Sequence, residues 1–180
     1  IMTERTKDTL LRFGKGLAKG LQWLSALAAG IALIAVPVIL LLGKDLSSGP
    51  GDAGSASVVG SHPYPAAAIL LLMAAGLALM FLFFGRLRSI VASAQTGDPF
   101  IPENAARLEA MAWLLLGWEV LNVLIGLARL HLANLTSGTE NSLNWSLYDL
   151  DGLFIVLVLF ILARIFRHGA AMREDLEGTV

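Results

Sequence analysis

The chain of 180 residues contains no cysteine. That absence removes disulfides, thiolate catalysis and cysteine metal sites together, and with them the four-helix disulfide oxidases that hand electrons to quinones. Charge is scarce as well. Asp, Glu, Lys and Arg make up 15% of the residues and the net charge is −1, which gives no basic field to hold nucleic acid directly. The three histidines, His62, His131 and His168, lie in separate polar segments, so none pairs with another across an apolar run as bis-histidine haem ligation requires. His62 and His131 alone make a poor metal site. There is no phosphate-binding glycine loop, no metalloprotease helix motif and no serine nucleophile elbow. The reading is of a non-enzymatic protein with neither metal nor cofactor.

What the sequence does contain is apolar. Hydrophobic residues are 56% of the total and the mean hydropathy is +0.72. They collect in four runs, Leu21–Leu42, Pro65–Phe84, Ala110–Leu130 and Leu150–Phe166. At a rise of about 1.5 Å per residue, roughly 20 residues cross a hydrocarbon layer of about 30 Å, and each run is near or just below that length. The expected fold is all-α: one membrane domain over residues 1–180, four transmembrane helices in an antiparallel bundle. The first run is longer than a signal-peptide core and lacks a clean cleavage site, which favours a retained signal anchor. The fourth is the weakest, because its uncharged centre, Gly152–Ala163, has only twelve residues. Arg164 at one end and Asp149 and Asp151 at the other can extend it by reaching the two interfaces.

Basic residues set an orientation. Arg5, Lys7, Arg12, Lys15 and Lys19 precede the first run; Arg86, Arg88 and Arg107 lie between the second and third; Arg164, Arg167 and Arg173 close the fourth. Only Lys44 and Arg129 fall on the other side, so the positive-inside rule places both termini and the central connector in the cytoplasm. Leu10, Phe13, Leu17, Leu21 and Leu24 recur at helical spacing before and into the first run. This suits a basic amphipathic helix on the membrane surface that then turns inward, or one that docks a partner. The outer loops, Lys44–Tyr64 and His131–Asp149, are polar, and the second carries glycosylation-type triplets at Asn134 and Asn144.

Within the third run, Glu119, Asn122, Gly126 and Arg129 form one stripe of a helix face. A carboxyl at the bilayer centre costs on the order of 2.5–3.5 kcal/mol, so Glu119 needs a local reason to be there. Interhelical glue, a sensing site and a proton pathway all supply one. Arg129 is placed to meet Asp149 or Asp151 at the outer surface.

The connector between runs two and three contains Thr96 to Asn104, in which Gly97 permits a turn and Pro99 and Pro102 fix the backbone. Phe100 and Ile101 are apolar on a polar segment, suited to plugging the cytoplasmic end of the bundle or to docking a partner. Gly97-Asp98-Pro99-Phe100 and Asn104-Ala105-Ala106-Arg107-Leu108, with the tail from Arg167 to Val180, resemble the bacterial membrane proteins grouped as domain of unknown function 2975. The resemblance runs from the first span to the last residue. It implies a multi-pass protein of the bacterial inner membrane, encoded beside a small helix-turn-helix regulator of the Xre or Cro type that it binds or restrains. Asp98, Pro99, Phe100, Glu174, Asp175 and Glu177 are the candidate partner-binding residues, with the lipid bilayer as the other partner. A small proton-coupled transporter centred on Glu119 and a purely structural membrane subunit are the competing readings.

Overall fold

The computed structural model describes residues 4–46, 59, 61–95, 99–135 and 151–177. They form four helices: α1, Glu4–Leu46; α2, Pro63–Gln95; α3, Pro102–Leu135; and α4, Asp151–Glu177. Each contains a stretch long and apolar enough to cross a membrane. At about 1.5 Å per residue the helices measure roughly 40 to 65 Å, well beyond a hydrocarbon thickness of about 30 Å, so every one projects into the polar zone. The apolar runs thus mark the membrane portion of longer helices.

Local chemistry accounts for the helix starts. Pro63 and Pro102 open α2 and α3 at positions where the missing N–H costs nothing. Glu103 adds a negative charge to the first turn of α3, where the exposed N–H groups favour it. Pro37 lies inside α1 and removes one backbone bond, to the carbonyl of Leu33.

The basic segment before the first apolar run does not form a separate surface helix that turns into the membrane, as its periodicity suggested. Residues 4–46 are one unbroken helix. The reason is that α2 continues to Gln95 and offers a packing partner: Ala18 is buried, and the backbone at Gly14 lies against Val91.

Specific contacts fix an antiparallel order. Gly43 at the end of α1 approaches Pro63 at the start of α2, while Gln22 lies against Gly85. Trp118 of α3 covers Gly76 of α2, and Leu79 of α2 fits over Gly117 of α3. Phe160 of α4 meets the Trp113 ring of α3 edge-on at 5.4 Å. Each helix packs on its neighbour in sequence, and among the described residues α1 touches neither α3 nor α4. The bundle is therefore a row with α1 and α4 at its edges, and the basic residues of the four helices, Lys44 and Arg129 excepted, collect at one end.

The core is inverted relative to that of a water-soluble protein. Buried positions are mostly small, including Ala18, Ala66, Ala67, Ala74, Gly76, Ala105, Ala112, Gly126 and Ala163. Large apolar side chains point outward: Trp23 is 64% exposed, Leu41 77% and Phe154 67%. Small residues let helix backbones approach closely where lipid solvates the large ones, which is how helices associate in a bilayer. This is a multi-pass membrane protein.

Candidate functional site

The basic end of the bundle is built around Asn104, which is fully buried. Its backbone N–H donates to the Ile101 carbonyl at 3.0 Å, closing the turn that leads into α3. Its side-chain Nδ2 donates to Ser93 Oγ at 2.7 Å and to the Pro99 carbonyl at 2.9 Å. Its Oδ1 accepts from Arg107 at 2.7 Å. One amide thereby ties the end of α2, the connector and the first turns of α3 together, and neither polar atom of its side chain is left without a partner.

Phe100 follows from that turn. Held between Pro99 and Ile101, its ring packs on Phe166 of α4 with centroids 5.0 Å apart. A Cβ at Gly169 would come within 3.1 Å of the same ring, so the glycine makes room for it. Nearby, Arg167 of α4 pairs with Glu109 of α3 at the surface, their side chains 62% and 43% exposed. The connector is thus seated against α4, and α4 continues beyond it as helix to Glu177. Glu174 and Asp175 are exposed on this extension. Asp98 and the Glu177 side chain lie outside the described residues.

The second polar feature is at mid-helix. A Cβ on Gly152 would overlap the Glu119 carboxyl, so the carboxyl lies directly against the first turn of α4. Glu119 and Asn122 are half-buried, Gly126 is buried and Arg129 is exposed. The stripe does face a helix interface at Glu119 but reaches open surface at Arg129. The expected contacts of Arg129 with Asp149 or Asp151 fall outside the described residues. Arg164 stands twelve residues from Gly152, about 18 Å along α4, and does not approach Glu119.

The register has a further effect. α3 runs sixteen residues past Glu119 to Leu135, about 24 Å, whereas α4 begins beside Glu119. A helix N-terminus carries unpaired N–H groups and a partial positive charge, and a carboxyl from the neighbouring helix suits it. The Gly152 position admits that carboxyl only because it has no side chain.

Asn104, Ser93 and Glu109 have structural roles that the sequence alone did not assign. Asn104 stood within the family-like segment. Its bond to Ser93, however, depends on how α2 returns past the connector, which no local pattern encodes.

Neither the curated proteins nor the solved structures contain a significant match to the chain. A family model described as "Protein of unknown function (DUF2975)" matches residues 53–180. The match begins after α1, so it takes in α2, α3, α4 and the tail but not the first span, a shorter reach than the resemblance implied. It includes both the Asn104 and Phe100 turn and the Glu119 and Gly152 contact, and on it the chain belongs to this family of proteins of unknown function.

Proposed function

We propose that this is a non-enzymatic protein of the bacterial inner membrane whose cytoplasmic end binds and restrains a small helix-turn-helix transcription regulator. The single observation that supports the reading is the seating of Phe100 on Phe166 and Gly169, which joins connector and tail into one surface. Beyond that seat, Glu174, Asp175 and Glu177 supply acidic groups. A regulator's DNA-binding face is basic, so acidic groups recruit it and compete with phosphates for the same side chains. A regulator held there is kept off DNA. In this reading Glu119 is structural: it seats the start of α4, and α4 carries the docking surface.

The experiment is co-purification of the full-length protein with the small regulator encoded beside it. A chain ending at Arg173 should lose most of the complex, and Phe100→Asp should weaken it while the protein still inserts. Raising ionic strength should release the regulator, since exposed charges are screened within about 8 Å at 0.15 M salt. Undiminished binding in both variants rejects this interface. Proton or solute flux through reconstituted vesicles, abolished by Glu119→Gln with insertion intact, would replace the reading by a transporter.

A further inference from the structure

At the basic end, one face of α4 and Glu109 of α3 frame an open cavity of about 740 Å³, lined on α4 by Phe160, Ile161, Arg164, Arg167 and His168. Its size is within the range of roughly 300–1,000 Å³ usual for small-ligand sites. Because α4 contacts only α3 among the described helices, the cavity opens to the side of the bundle, where a membrane protein meets lipid.

The lining is ordered along the helix axis. Phe160 and Ile161 lie toward the apolar middle of α4. Arg164, Arg167 and His168 follow at successive offsets of three, three and one residues from Ile161, one to two turns nearer the basic end and on one helix face. Buried Ala163 beneath them keeps the space open. Going outward from the membrane centre, a phospholipid presents the same sequence of chemistry: methylenes, then glycerol, then phosphate.

The charges are unequal. Arg167 is engaged by Glu109. Arg164 is exposed and, among the described residues, neither it nor His168 has an ion-pair partner. Glu109 would repel a phosphate by itself, but with its charge matched by Arg167 the cavity keeps a net positive charge from Arg164.

We propose that this cavity holds the headgroup phosphate of an anionic phospholipid, with Arg164 and His168 donating to its oxygens and Phe160 and Ile161 against the first part of an acyl chain. A basic pocket between helices at the interface is a suitable receptor for such a headgroup. A zwitterionic lipid brings a cation that Arg164 and Arg167 disfavour. The site is independent of any docked regulator, because its lining stops short of Glu174 and Asp175.

The test is native mass spectrometry of the purified full-length protein with phosphatidylglycerol or phosphatidylcholine, and millimolar inorganic phosphate as a third arm. Phosphatidylglycerol should be retained in preference to phosphatidylcholine, and Arg164→Gln should lower that retention about fivefold, the scale of one interfacial cation. Glu109→Gln, which frees Arg167, should raise it. Arg86→Gln, at the same end but on α2 and outside the cavity, should leave it unchanged. Circular dichroism and gel filtration of each variant separate loss of lipid from loss of fold, and Arg164→Lys, which keeps the charge, should restore part of the retention. Equal retention of the two lipids, or equal losses from Arg86→Gln and Arg164→Gln, overturns the site. Displacement of the lipid by inorganic phosphate overturns its assignment to a lipid.

Discussion

The two seams that flank α3 hold it by different means. Toward α2 the contact is one of shape: Trp118 lies over Gly76 and Leu79 over Gly117, with the buried Asn104 pinning the basic end through Ser93. Toward α4 it is one of charge and aromatic rings: Glu119 against Gly152, Glu109 with Arg167, Phe100 on Phe166 and Trp113 with Phe160. A steric seam is indifferent to salt, whereas a seam that includes an exposed ion pair depends on it. The comparison teaches that α4, which carries the acidic residues proposed to dock a regulator and the cavity proposed to hold a lipid, is the helix whose seat responds to its surroundings. α2 and α3 are the fixed part.

The largest effect is expected at the pinned end of the α2–α3 seam. Asn104→Leu takes away the amide that the Pro99 carbonyl and Arg107 bond to, and one of the bonds at Ser93, and should cost about 2–4 kcal/mol, read from the midpoint of unfolding in a denaturing-detergent titration. A loss below about 1 kcal/mol would show that the amide is not the pin. Gly76→Leu forces a side chain into the Trp118 ring, which would already lie 2.6 Å from a Cβ there, and should cost about 1–3 kcal/mol. Adding Trp118→Ala should return part of that loss, and strict additivity in the double-mutant cycle would deny the contact.

Effects on the α3–α4 seam should be smaller and local. Glu119→Leu removes the carboxyl from the first turn of α4 and should cost about 0.3–2 kcal/mol. Hydrogen exchange in that turn should quicken while exchange in α2 stays as it was. Equal acceleration in both helices would erase the contrast between the seams. The smallest change belongs to Glu109→Gln, since an exposed pair contributes about 0–1 kcal/mol. Its signature is a melting temperature that no longer falls as salt is raised.

The membrane architecture was legible because runs of about 20 apolar residues match the thickness of a lipid layer and because eleven of thirteen basic residues fall on one side. The helix ends were not. Hydropathy stops at Phe84 and Phe166, where the medium changes, but the backbone goes on as helix through Arg86–Gln95 and through Arg167–Glu177. The connector expected over residues 86–107 is accordingly reduced to the few residues between Gln95 and Pro102. Glu119 stood out as an acid in an apolar run, and Phe100 as an apolar residue in a polar one. Their partners, Gly152 and Phe166, depend on the register between α3 and α4, which is set by packing over the whole seam. Glu109 carried no sequence signal that separated it from any interfacial acid.

Contacts confined to successive helices also bear on how the protein comes apart. Stability in such a chain is a sum over junctions, as in repeat proteins, and among the described residues no junction closes a ring. A polypeptide ending at Leu135 would forfeit one junction and keep the other two, so it should still insert as a folded three-helix unit. Detachment of the last helix is then an event the rest of the molecule survives, and whatever the tail carries can be released without unfolding its anchor.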